Sequence, residues 1–391
     1  MKKILLLIIT VCFINSIKAQ WNQQYSNVTN ALTSVFFTTA NLGFAVGSYG
    51  TFLKTSDGGN SWYGISTCVT SHFSSVFFTN NQTGYITASY GKIIKTTDGG
   101  NNWTIQNSGT TKELTNIYFV DNNTGYAVGY STILKTVDGG QNWISMPQGS
   151  QFTLHNIKFI DANLGYAAGL NGTIIKTIDG GLNWTIQNSG TTNLILSLCF
   201  VNANTGYAVG FNGTILKTEN GGNSWVTQSS GILGYLTSIH FTDANTGFAV
   251  GENGVILKTT NGGINWNIQN SELTSILKSV YFPVSNTGYI VGDNGKILKT
   301  INGGSIDIQE SIFDNKLIIH SNSNLLTINI SQLENRQNCT ARIYNIQGKL
   351  LLEESIKNEQ SEINIDSFAK GIYILKVSIG KEILVNKFAK E

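Results

Sequence analysis

Short runs of alternating apolar and polar residues return along this chain at a fixed spacing. Leu114-Thr115-Asn116-Ile117-Tyr118-Phe119 is one such run, and it predicts a β-strand. A turn follows at Asp121-Asn122-Asn123-Thr124-Gly125, then a second predicted strand over 126–129. A tight hairpin leads to a third over 132–136, and Asp138-Gly139-Gly140 turns the chain into a fourth over 143–146. In other units the second hairpin reads Asn171-Gly172, Asn212-Gly213, Asn253-Gly254 or Asn294-Gly295. Asn-Gly supplies the positive φ angles that a two-residue hairpin turn requires.

The unit recurs every 41 residues, with one step of 40. Trp21, Trp62, Trp103, Trp143, Trp184, Trp225 and Trp266 keep that register. So do Gly43, Gly84, Gly125, Gly165, Gly206, Gly247 and Gly288, and so do Phe37, Phe78, Phe119, Phe159, Phe200, Phe241 and Phe282. Seven four-stranded units of this length predict an all-β protein, a seven-bladed β-propeller over residues 20–304. The last unit, 277–304, has three predicted strands and stops before its tryptophan. The missing one is Trp21, in register 41 residues before Trp62. Residues 21–25 are therefore expected to form the outer strand of the last blade and close the ring.

Composition refines this picture. Of 391 residues only 12% are charged and the net charge is +2, so neither a basic nucleic-acid surface nor an acidic tail is indicated. The 42 glycines, 2 prolines and many aromatic residues suit short strands between glycine turns. Residues 1–19 read as a signal peptide: Lys2 and Lys3, an apolar run over 4–14, and Ile17-Lys18-Ala19 before Gln20. Later residues contain no run long enough to span a bilayer as a helix, so no transmembrane segment is expected in the mature chain. Cys68, Cys199 and Cys339 make no disulfide framework and no metal spacing. Cys199 falls at an alternating strand position and reads as a small apolar filler.

The turn before each tryptophan, Lys-Thr-x-Asp-Gly-Gly-x-x-Trp, resembles the Asp-box, the bacterial neuraminidase repeat. Asp57, Asp98, Asp138 and Asp179 stand at the acidic position, and Asn220, Asn261 and Asn302 replace them in the last three units. Asn keeps the acceptor and loses the charge, which marks a structural fastener rather than a metal or catalytic acid. Lys54, Lys95, Lys135, Lys176, Lys217, Lys258 and Lys299 precede the turns. Their stems are expected to cover apolar surface while their heads reach water.

The whole unit, Thr-Gly-Tyr-Ala-Val-Gly and then Ile-Leu-Lys-Thr-x-Asp-Gly-Gly-x-x-Trp, resembles the repeat of the photosystem II stability/assembly factor family over residues 21–304. That family binds its partner through an arginine-rich surface. Here the two arginines, Arg336 and Arg342, lie outside the propeller, so the resemblance does not carry that surface over. A sialidase is disfavoured for the same reason, because its arginine triad grips the substrate carboxylate bidentately.

Residues 305–310 read as a linker, and 311–391 as a small β-sandwich with strands predicted over 316–320, 325–331, 341–352, 362–365, 371–378 and 381–388. This segment resembles the type IX secretion C-terminal sorting domain, type A. Ile343-Tyr344-Asn345-Ile346-Gln347-Gly348-Lys349-Leu350, the stretch 369–377 with Gly371 and Tyr373, and the terminal Lys387-Phe388-Ala389-Lys390-Glu391 carry the match. The resemblance implies handling by the type IX machinery, passage through the periplasm, and release or surface attachment.

No catalytic constellation stands out. His72, His155, His240 and His320 share no metal spacing and no triad arrangement, and no cofactor motif occurs. The second hairpins are the remaining feature. They carry Tyr49, Tyr90, Tyr130, Leu170 and Phe211 in the first five units, then Glu252 and Asp293, which are read as one equivalent position. Such an arc, opposite the Asp-boxes, suits a glycan or a surface protein; hairpin tips without a ligand are the plainer reading. The leading function is a non-enzymatic binding or adhesion module. A polysaccharide hydrolase using Glu252 and Asp293, and an assembly factor for an envelope protein, are the alternatives.

Overall fold

A computed structural model describes residues 21–147, 153–304, 317–321, 324–330, 339–346, 348–356, 358–379 and 382–390. The segments 1–19 and 305–310, read above as signal peptide and linker, lie outside the described residues. Two compact units emerge, one spanning 19–306 and the other including 307–391.

The first unit is seven four-stranded antiparallel sheets, each a blade. Blade 3 is typical: an inner strand Leu114–Phe119, then Gly125–Gly129, Thr132–Thr136 and an outer pair Ile144–Ser145. Blades 1, 2, 4, 5 and 6 begin at Leu32, Phe73, Leu154, Ile195 and Leu236. Blade 7 is Leu277–Val284, Thr287–Gly292 and Ile297–Thr300, and its fourth strand is Asn22–Gln24 from the start of the chain. Asn22 pairs with Lys299 and Gln24 with Ile297, so the expected ring closure is present.

Each inner strand carries a bulge at its second residue, between Leu32 and Ser34 in blade 1 and at the matching place in the other six. A bulge bends the strand and re-aims its side chains. In blades 1, 3 and 6 the bulged Thr33, Thr115 and Thr237 donate their hydroxyls to the carbonyls of Phe73, Leu154 and Leu277 in the next blade, at 2.7, 2.7 and 2.6 Å.

The hydrophobic core lies between blades. Each apolar cluster joins the second and third strands of one blade to the inner strand and tryptophan of the next, and one cluster joins blade 7 to blade 1. The aromatic columns build it. Tyr85 of blade 2 stacks on Phe119 of blade 3 at 4.0 Å, and Phe119 meets Trp143 edge-on at 6.0 Å. Tyr289 stacks on Phe37 at 4.0 Å across the closure, and Phe37 meets Trp62 at 5.9 Å. Stacked and edge-on pairs each add about 0.5–1.5 kcal/mol beyond burial.

In the second unit, Leu317–Ser321, Leu325–Ile330 and Gln360–Asn364 form one sheet. Leu350–Ser355, Cys339–Asn345, Gly371–Ile379 and Glu382–Lys390 form the other. Leu326, Ile328, Ile343, Leu375 and Val377 lie in one core cluster. The single strand predicted over 341–352 is a hairpin instead. Gly348, at φ +80°, donates its N–H to the Asn345 carbonyl and turns the chain back.

Candidate functional site

The Asp-box acids are occupied by their own turns. Asp98 Oδ1 accepts the backbone N–H groups of Asn101 and Asn102 at 3.0 and 2.9 Å, and the Thr96 hydroxyl at 2.8 Å. Its Oδ2 accepts the Asn102 side-chain amide at 2.7 Å. Asn220 keeps the geometry without the charge, accepting Ser224 N–H and the Thr218 hydroxyl at 3.0 Å each. Asn261 accepts Asn265 N–H at 3.0 Å, and the Thr300 hydroxyl donates to Asn302 at 2.8 Å. Trp103 donates its indole N–H to Gly100 O at 3.1 Å.

The hydrogen bonds hold Asp57, Asp98, Asp138 and Asp179 down at about 2. The Ser61 hydroxyl is the largest cause at Asp57, and the backbone N–H groups of Asn102, Asn142 and Asn183 are the largest at the others. These carboxyls ionise at lower pH folded than unfolded, so their stabilisation is complete above about pH 4 and lost as pH falls through about 2. A variant with all four changed to Asn should therefore lose stability less steeply over that window. Urea unfolding at several pH values checks this; parallel declines in the two proteins would refute it.

Four members of the lysine column do not end in water as expected. Lys54, Lys95, Lys135 and Lys176 reach across to the next blade and donate to the first Asp-box glycine carbonyl there, Gly99, Gly139, Gly180 and Gly221, at 2.7–2.8 Å. Tyr85, Tyr126 and Tyr166 donate to the same carbonyls at 2.8 Å, as Tyr207 does to Gly262 at 2.9 Å. Burial lifts these phenols to about 12, so they remain donors. The fastening column of tyrosines was visible in the sequence as Thr-Gly-Tyr; its partner was not, because it sits in the next repeat.

The second hairpins lie at the opposite end of the strands. They are not one equivalent position. Tyr130, Leu170, Phe211, Glu252 and Asp293 directly follow the last residue of the second strand. Tyr49 and Tyr90 come one residue later, where blades 4–7 carry Asn171, Asn212, Asn253 and Asn294. All six residues are left-handed, with φ between 53° and 61°. Tyr49 and Tyr90 are the middle residues of three-residue tips, Leu170, Phe211, Glu252 and Asp293 the first residues of such tips, and blade 3 has a tip of two, because it pairs Gly129 directly with Thr132. Tyr49 and Tyr90 are 78% and 72% exposed. Phe211 stacks on Tyr235 at 5.2 Å. Asp293 pairs with Lys278 at 3.0 Å, and Glu252 donates its backbone N–H to Tyr235 O.

Inside this rim, on the axis, a cavity of about 320 Å³ is lined by the inner strands of all the blades. A polar column floors it: Ser34, Ser75, Asn116, Asn156, Ser197, Ser238 and Ser279. These side chains link neighbouring blades: Ser34 Oγ accepts Val76 N–H at 3.3 Å, and Ser279 Oγ accepts Val35 N–H across the closure at 3.3 Å. His155, Tyr235 and Lys278 add ring and charge, and the lining contains no carboxylate. Burial lowers the His155 imidazole below its ordinary value, favouring its neutral form. Sequence reasoning missed this column, although its polar residues recur in register at strand positions. Among the described residues no cluster of His, Cys, Asp and Glu could hold a metal.

In the second unit Tyr373 is buried, stacks on Phe388 at 5.6 Å and donates its hydroxyl to Ala369 O at 2.6 Å. Lys390 is buried too, with Nζ donating to the carbonyls of Ile365 and Asp366 at 2.7 and 2.6 Å. Lys387 is exposed on the last strand, opposite Ile374, and Gly371 opens the preceding strand.

Comparison with the curated proteins finds no match. Among solved structures, YCF48 bound to D1 peptide superposes with a TM-score of 0.63 at 21% identity, over 73% of this chain and 100% of that one. YCF48 from Cyanidioschyzon merolae gives 0.63 at 20% identity, over 72% and 98%. The WD40 propeller domain of Doa1 gives 0.60 at 11% identity, over 71% and 96%. These likenesses show the fold. The secretion system C-terminal sorting domain model matches residues 316–391, which marks the chain for type IX export to the cell surface or beyond. A further family model matches 14–107, 101–185, 144–225, 184–267 and 229–317, nearly every blade in turn, and the chain therefore belongs to the photosynthesis system II assembly factor YCF48 family.

Proposed function

We propose that this is an exported, non-catalytic binding module that engages a surface partner through the hairpin end of its ring. One observation carries the reading. Tyr49 and Tyr90 hold left-handed backbone where four other blades use Asn, and both rings stand in solvent. A non-glycine residue in that conformation costs about 1–2 kcal/mol, and Asn relieves part of it through local hydrogen bonding. Exposed rings recover little of that cost within the fold, so contact with a partner is the better account of their presence. The axial cavity beside them offers hydroxyl, amide and imidazole groups.

The family match favours a protein as partner, as does the solved YCF48 that carries a peptide. The chain would then reach the outer surface by the type IX route and act there, released or attached.

Tyr49→Asn with Tyr90→Asn is the informative variant. It should be as stable as the parent or gain up to about 1 kcal/mol, while losing capture of the surface partner. Proximity labelling on intact cells, with a glycan panel run in parallel, reads both outcomes. Equal labelling by parent and variant would remove the proposal.

A further inference from the structure

Deeper along the axis, beyond the Ser/Asn column, each inner strand presents one more side chain, just before its buried phenylalanine. The set is Phe36, Phe77, Tyr118, Lys158, Cys199, His240 and Tyr281. Most of it forms a continuous ring. Phe36 meets Phe77 at 5.0 Å, Phe77 meets Tyr118 at 5.2 Å, Tyr281 meets Phe36 at 5.1 Å, and His240 meets Tyr281 at 5.3 Å. Lys158 places its ammonium 5.2 Å from the Tyr118 ring centre. Cys199, the smallest member, stands between Lys158 and His240 in blade order.

Lys158 is the unusual one. It is partly buried on the axis, and burial pulls its ammonium below its ordinary value. Among the described residues its charge meets the Tyr118 face and the Cys199 thiol but no carboxylate. Both phenols spend their protons on carbonyls, Tyr118 on Phe159 O at 3.0 Å and Tyr281 on Phe37 O at 3.1 Å. The His240 imidazole is driven down to about 4 by burial and by Lys158, so it stays neutral and retains a ring N–H. A partly buried charge without a counter-charge is costly. The site is still reachable: Lys158, Cys199 and His240 all keep partial solvent access, and at the cavity mouth Lys278 is paired with Asp293.

We propose that the propeller axis binds a small monovalent anion, of halide, nitrate or formate size, against Lys158, over the small Cys199 side chain and beside the His240 N–H. Cation–π contact on one side and an anion on the other satisfy the ammonium in a place where water alone solvates it poorly. The site is independent of what the hairpin rim binds.

The test uses the full chain. Thermal unfolding is followed at constant ionic strength while bulky gluconate is replaced by bromide. A ligand bound only by the folded state raises Tm. The parent should gain a few degrees, with a response that saturates, whereas Lys158→Met should show no saturating response. Crystals soaked in bromide should show an anomalous peak within hydrogen-bonding reach of Lys158 Nζ, a readout that does not depend on the variant folding. The same Tm in both salts, an unchanged response in Lys158→Met, or bromide located only elsewhere would each overturn the proposal.

Discussion

Trp21→Ala should be the most damaging of the tryptophan substitutions. Trp21 is 2% exposed and meets Phe248 and Phe282 edge-on at 5.9 and 5.8 Å. Emptying such a site costs about 3–5 kcal/mol. The same loss is expected at Trp184, which packs alike against Phe159. The difference is topological. Trp184 sits in the middle of a continuous chain, whereas Trp21 anchors a strand of three residues that joins blade 7 without a chain connection to its neighbouring strand. Once that strand frays, Ile297–Thr300 becomes a bare sheet edge. Amide exchange over 297–300 should therefore speed up in Trp21→Ala and stay slow in Trp184→Ala. Equal stability and equal protection in the two variants would show that closure adds nothing.

Gly125→Ala should be nearly as harmful, for a steric reason. A Cβ there would overlap the Phe119 ring at Cε1 and Cζ. The ring has no way to retreat, being stacked on Tyr85 at 4.0 Å and set against Trp143 at 6.0 Å. Overpacking of a well-filled core costs about 1–3 kcal/mol and sometimes more, and this position should fall at the top of that range. Gly109→Ala is the control. It has φ +71° and nothing within 4 Å of its added Cβ, so only backbone strain of about 1 kcal/mol applies. Adding Phe119→Leu should recover part of the Gly125→Ala loss, because the pair is in contact and non-additive. Urea unfolding of the four proteins measures this, and similar losses at Gly125 and Gly109 would contradict it.

These predictions show how far the sequence could be read. The Phe119 and Gly125 columns were visible as periodic residues, yet their reason was not: the phenylalanine ring lies over the glycine of the neighbouring strand. The lysine column was visible too, and its destination was misjudged. Alternation along a strand reports which side a residue faces, whereas the Gly139 carbonyl that receives Lys95 lies in the next repeat. The hairpin tips were misaligned by one residue because residue type was compared across them. Backbone conformation, which separates left-handed Tyr49 from Tyr130, was not available from residue type.

What the sequence alone determined is what repeats. Period 41 with turn residues between short alternating runs dictates four-stranded blades, and one tryptophan displaced to the start of the chain dictates how the ring closes. Those features depend on local pattern and on counting. The tertiary structure alone decided what meets at the axis and between blades. Val35 and Ser279, or Phe36 and Tyr281, are far apart in sequence and become neighbours only when blade 7 meets blade 1. Lys158, Cys199 and His240 are unremarkable within their own strands. Closure brings them to one place on the axis, because a ring turns one position per repeat into a circle of contacts.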